Sequence, residues 1–269
     1  MEIRDAAQRI LLAESLEAKL APVSASLTDE QPGPPLRVAV PGRPVALQFA
    51  ARRGAPSMPR PGALRDPQKR SIAHHILANH ELQALEVMAF MLLAFPDAPE
   101  GFRRGLMGII GDEQRHTRMH VERAAELGLS FGQLPVNGYI WAKAQQFQNL
   151  LDYLAGMSLT FEGRNLDHTL ELEEHFQRAG DPRSAAVLRA IHQDEIGHVR
   201  FGLDWMRRLK PPNQTEWDAY VAHLHWPLRA EKSVGGALHR EPRLRSGMTD
   251  DFINRLAAAH AGSRNTKSG

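Results

Sequence analysis

Apolar residues in this chain recur at helical spacing, and no stretch of useful length alternates with a period of two. In residues 1–20, Ile10, Leu11, Leu16 and Leu20 fall along one face and predict a single amphipathic helix. Four longer helices are predicted between residues 66 and 210. The first opens at Asp66-Pro67, an N-cap followed by proline at the first helical position, and stops at Pro96. The second runs from near Pro99 to Leu127 and is closed by Gly128. The third starts near Tyr139 and stops at Gly180, and the fourth opens at Asp181-Pro182 and stops at Pro211-Pro212. Weaker helical stretches follow at 215–225 and 249–261. Four long helices with mostly short connections predict an all-α fold built on a four-helix bundle.

Composition divides the 269 residues further. Residues 22–67 hold ten of the 18 prolines, and from Arg37 to Arg70 there are eight basic residues against one acidic residue, Asp66. Three parts follow: an N-terminal helix with a Pro/Arg-rich arm (1–65), the bundle (66–210) and a C-terminal helical extension (211–269). The arm reads either as an extended segment wrapping the helical body or as a contact for an anionic partner. Hydrophobic residues are 42% and charged residues 24%, ordinary for a folded domain. There is no cysteine, which excludes a disulfide scaffold, thiolate metal sites and a cysteine nucleophile. A net charge of +2 gives no general case for nucleic-acid binding. The longest apolar run, Val87 to Phe95, is nine residues, short for a membrane span. The charged N-terminus lacks a signal-peptide core, and the expectation is a cytoplasmic protein with no membrane contact.

The informative feature is an internal repeat. Helix two carries Asp112-Glu113-Gln114-Arg115-His116 and helix four carries Asp194-Glu195-Ile196-Gly197-His198. Residues three apart share a helical face, so Glu113 pairs with His116 and Glu195 with His198. A carboxylate and an imidazole one turn apart suit iron or manganese. With 18 Glu and 13 His, a lone E-x-x-H is expected ~0.9 times by chance, but two copies of D-E-x-x-H only on the order of once in a thousand such chains. A di-metal bundle needs one further Glu from each remaining helix. Glu81 precedes Glu113 by 32 residues and Glu162 precedes Glu195 by 33. Glu86 competes on helix one, but it lies roughly 140° around the helix from Glu81 and breaks the repeat. Four carboxylates and two imidazoles are balanced by two divalent ions.

Glu81 with DEQRH, then Glu162 with DEIGH, resembles the ferritin-like di-iron carboxylate superfamily, and the whole chain is similar to an uncharacterised bacterial ferritin-like, rubrerythrin-related branch of it. The resemblance covers residues 66–210. It implies Glu81, Glu113, His116, Glu162, Glu195 and His198 as ligands of two iron ions, with Mn/Fe or Mn/Mn as alternatives. It also implies Asp112 and Asp194 as acceptors for a ligand histidine's second N–H. His120, four after His116, and His192, three before Glu195, lie on the ligand faces and are read as supporting residues or extra ligands. His74, His75, His223 and His225 are read as surface or packing residues. Arg115, Arg118 and Arg200 are read as interhelical salt-bridge partners.

The resemblance implies O2 activation to oxidise or hydroxylate a small organic substrate, with electrons from an external donor because no cysteines form a built-in rubredoxin. The sequence departs from its relatives at Leu166, where multicomponent monooxygenases carry threonine, and at His120, where ribonucleotide-reductase radical subunits carry tyrosine. Residues outside the bundle suit a substrate pocket or lid better than a storage shell. The alternatives are a ferroxidase or peroxide scavenger, a tRNA-modifying hydroxylase using the Arg-rich arm, and a helical scaffold with a vestigial site.

Overall fold

The computed structural model describes residues 1–23, 26–51 and 54–265. Arg52 and Arg53, counted above in the charge of the arm, lie outside the described residues. The described residues form helices without strands; two isolated bridges, Glu2 with Thr28 and Phe49 with Val136, are the only β-type pairings among them. The protein is all-α. It divides into two compact units, Met1–Gln145 and Gln146–Gly269.

The first unit contains α1 (Ile3–Leu12), α2 (Leu16–Leu20), α3 (Pro67–Ala94), α4 (Glu100–Glu126) and α5 (Tyr139–Ala144). The single N-terminal helix expected over 1–20 is two helices. Ser15 takes extended backbone and its side chain accepts from Ala18 N, so it caps a new helix and interrupts the old one. The long helices keep their expected ends because the signals are local: Asp66 accepts from Gln68 N at 2.9 Å with Pro67 behind it. α3 is buried on nearly every side. By length and composition it is long and apolar enough to cross a membrane, yet 94% of its most apolar window is buried inside the protein, the position of a core helix.

The Pro/Arg-rich segment lies along α3. Leu36 N donates to Leu93 O at 2.8 Å, and Gly42 N donates to Leu11 O at 2.9 Å. The Arg37 guanidinium stacks over Phe90 and Phe95 at 5.5 and 5.0 Å. Arg43 is buried and binds Glu86 on α3 through Nε at 3.0 Å and Nη2 at 2.6 Å. Lys19 of α2 adds a second cation 3.1 Å from the same carboxylate. Two of the arm's eight basic residues therefore hold the arm down on the helical body.

The second unit contains α6 (Leu150–Tyr153), a π-helical segment (Leu154–Phe161), α7 (Glu162–Arg178), α8 (Pro182–Leu209), α9 (Glu216–Ala222), α10 (Arg240–Arg245) and α11 (Asp250–Asn265). The third helix expected over 139–180 is broken at two levels. Its first turns are the separate α5, and α6 restarts at Asn149, whose side chain accepts from Asp152 N at 3.0 Å. The π segment then widens the helix just before Glu162, with the Thr160 hydroxyl donating to Ala155 O, five residues back. Asp181 caps α8 by accepting from Ser184 N at 3.0 Å and from the Ser184 hydroxyl at 2.8 Å. Asp181→Ala is expected to cost about 1 kcal/mol in urea unfolding.

α8 approaches the π segment so closely that a Cβ on Gly202 would lie 2.3 Å from the Ser158 Cβ. Gly202→Ala is therefore expected to destabilise the protein by about 1–3 kcal/mol through overpacking, although alanine is the better helix former. An unchanged thermal midpoint would contradict this contact.

Candidate metal centre

In the first unit, α3 presents Glu81 and α4 presents Glu113 and His116, all buried. One ligand atom from each of the three lies within 4.8 Å of the others. The His116 Nδ1 to Glu113 Oε2 distance is 3.8 Å. That is too long for a hydrogen bond. It does fit two donors ~2.1 Å from a common ion. His120, one turn beyond His116, places Nε2 at 3.9 Å from Glu81 Oε1 and Nδ1 at 2.9 Å from His74 Nδ1. Burial, with His74, His116 and His80 close by, holds the His120 imidazole well below its usual protonation range. It is a neutral ring.

Glu86 has a different fate from Glu81. Its carboxylate is committed to Arg43 and Lys19, so its charge is already balanced. The five-residue offset between them turns one carboxylate to the cations and the other to the α4 ligands.

In the second unit, Glu162 is the first residue of α7, and α8 supplies Glu195 and His198. All three are buried. Ligand atoms of Glu162 and His198 lie within 4.8 Å of each other. His198 Nδ1 is 3.9 Å from Glu195 Oε2, repeating the geometry of the first unit. Asn165 Nδ2 donates to Glu195 Oε1 at 2.8 Å and fixes the plane of that carboxylate. Sequence reasoning missed Asn165. The signal was its position three residues after Glu162, one turn along the same face.

The supporting residues differ in kind. The Thr169 hydroxyl gives its proton to Asn165 O at 2.6 Å, so the His192 Nδ1–H donates to Thr169 Oγ1 at 2.8 Å. Burial lowers the pKa of His192, and Arg245 nearby adds to the effect. His192 thus ties α8 to α7 one turn from Glu195. Asp112 is half-buried and accepts from Arg115 at 2.8 Å; Asp194 is also half-buried. The three arginines have these contacts. Arg115 pairs within its own helix, Arg118 donates to Leu20 O at 2.6 Å, and Arg200 donates to Arg245 O. His74 and His75 are buried, and His223 and His225 lie 2.7 and 2.9 Å from the Asp152 carboxylate.

A cleft of about 460 Å³ opens between α4 and the N-terminal segment, lined by Ile3, Val23, Leu27, Arg104, Met107 and Arg118 among others. Its volume lies within the range of about 300–1,000 Å³ usual for small-molecule sites.

A protein of Haemophilus influenzae described as "Uncharacterized protein" is 27% identical over 215 residues, covering 74% of this chain and 74% of its own. No solved structure matches. Residues 2–254 match the family described as "Protein of unknown function (DUF455)", and with nearly the whole length matched, the chain belongs to that family.

Proposed function

We propose that the two carboxylate–imidazole sets, Glu81, Glu113 and His116 with Glu162, Glu195 and His198, hold two iron ions in a ferritin-like di-iron oxidase or oxygenase. The observation that carries this reading is the repeated spacing of 3.8 and 3.9 Å between a buried glutamate and the histidine one turn on. Two other buried carboxylates touch arginine at hydrogen-bond distance, Glu86 at 2.6 Å and Asp167 at 2.8 Å. Within each set the glutamates and the histidine lie close to one another, an arrangement that a divalent cation stabilises. Bound iron supplies the reduction of O2, with electrons from an external donor in the cytoplasm. The chain supplies buried, oriented ligands: Asn165 holds one Glu195 oxygen and leaves the other facing His198. The cleft beside α4 is the proposed seat of a small organic substrate.

Anaerobic loading with Fe(II) is expected to leave about two ions per chain, and exposure to O2 to produce a new absorption band from oxidised iron. Glu113→Ala combined with Glu195→Ala is expected to remove most of the bound metal. Wild-type protein retaining fewer than about one ion per chain would overturn the reading.

A further inference from the structure

We propose that Tyr220 and Thr160 are positioning residues for the second unit's metal set: their hydroxyls hold the π segment whose register aims Glu162 at His198. This rests on the di-metal reading above. The backbone N–H of Glu162 donates to Met157 O, five residues back, so the ligand itself sits on the π turn. Returning that turn to α spacing would rotate Glu162 by roughly 100° relative to the residues before the segment. In the π register, ligand atoms of Glu162 and His198 come within 4.8 Å of each other. Thr160, two residues before Glu162, spans the same five-residue interval, its hydroxyl donating to Ala155 O at 2.8 Å.

Tyr220 of α9 completes the arrangement. Its hydroxyl oxygen lies 2.9 Å from Thr160 Oγ1, and both side chains are buried. Thr160 gives its one proton to Ala155 O, so the phenol donates and the threonine accepts. Burial pushes the Tyr220 phenol up to about 12, which keeps that proton in place. The ring is held by packing against Trp217 and Phe252, at centroid distances of 5.8 and 5.4 Å. A π turn is a rare conformation, and contacts from outside the segment hold this one: the Tyr220 hydroxyl, and the close approach of Gly202 to Ser158. Tyr220 therefore acts on Glu162 through Thr160 and the backbone. It couples α9 to the orientation of a ligand 58 positions earlier in the chain.

Anaerobic Fe(II) titration of the full chain by calorimetry tests this. Glu162→Ala identifies the binding event of the second set by removing it. Thr160→Val keeps the side-chain shape and should weaken that event by about 10–100-fold, the usual effect of losing an outer partner. Tyr220→Phe keeps the ring and should weaken it by about tenfold. Both should leave the other event unchanged. Thr160→Ser keeps the hydroxyl and should bind as wild type does. A merely structural role would lower the thermal midpoint of the metal-free protein without changing affinity in the folded state. Wild-type affinity in Tyr220→Phe, or equal losses in Thr160→Ser and Thr160→Val, would overturn the proposal. Amide exchange of wild-type protein needs no variant. Fe(II) loading should slow exchange across 155–162, because metal and π register stabilise each other. Unchanged exchange there with iron bound refutes the coupling while leaving the six-ligand reading intact. Failure of wild type to bind iron would instead remove the di-metal reading itself.

Discussion

Replacing Glu86 by alanine is expected to destabilise the protein by about 3–5 kcal/mol, because it leaves two buried cations without their counter-charge. Arg43 binds the Glu86 carboxylate through Nε and Nη2, and its Nη1 reaches Leu47 O and Asn79 Oδ1 at 3.1 Å each. Lys19 Nζ donates to Ile10 O at 2.7 Å and Leu11 O at 3.3 Å as well as facing Glu86. One carboxylate therefore joins α1, α2, the Pro/Arg-rich segment and α3. Urea unfolding gives the loss in stability. Hydrogen exchange should show that the opened amides lie in residues 1–50 and α3.

The same variant has a pH signature. Burial holds Lys19 below its usual 10.5, and Glu86 partly offsets that effect. Without Glu86 the lysine falls further. A depressed folded-state lysine costs stability wherever it is protonated. The cost is relieved as pH rises through the folded value toward the unfolded one. The variant should thus recover part of its lost stability on the alkaline side relative to wild type. A stability difference that stays flat across that range would show that Lys19 does not feel Glu86.

The second large effect is at Asp167, where alanine is expected to cost about 3–5 kcal/mol. Asp167 and Arg243 are both fully buried and form a bidentate pair at 2.8 and 2.9 Å. The same carboxylate accepts from Gly235 N at 3.0 Å and His239 N at 2.8 Å. Arg243 also donates to Ser233 O at 2.7 Å and Gly163 O at 3.3 Å. Removing the acid orphans a buried guanidinium and two backbone donors together, and releases residues 233–243 from α7. Exchange should rise there and leave α3 and α4 protected. A loss below about 1 kcal/mol would mean that the segment is held by its apolar contacts instead.

These two carboxylates show where sequence reading runs out. Glu81, Glu113, Glu162 and Glu195 are singled out by spacing, which helical geometry converts into shared faces. Glu86 can be set aside by its register, but its actual role depends on Arg43, 43 residues away. Nothing in the local pattern marks Arg43 as different from the other arginines of the arm. His74 was read as a surface or packing residue, and its contact with His120 spans 46 positions. Asn165 lies close in sequence to Glu162, yet the oxygen it holds belongs to Glu195, 30 positions on. The break at Asn149 and the π segment were illegible for another reason. An apolar stretch such as Leu154–Phe161 carries no polar phase from which a wider helical pitch can be read.

By itself the sequence determined the helices whose ends carry local signals. Asp66-Pro67 and Asp181-Pro182 set the starts of α3 and α8, because capping is a contact between neighbours. It also determined the donor chemistry, since a chain without cysteine offers carboxylate and imidazole. Only the tertiary structure decided how each buried charge is balanced. Glu86 and Asp167 received arginines as counter-charges, while Glu113 and Glu195 each face the histidine one turn on at 3.8 and 3.9 Å, beyond hydrogen-bond distance. The reason is physical. A buried carboxylate must find a counter-charge, and long-range packing, not the residues beside it, selects which one lies within reach.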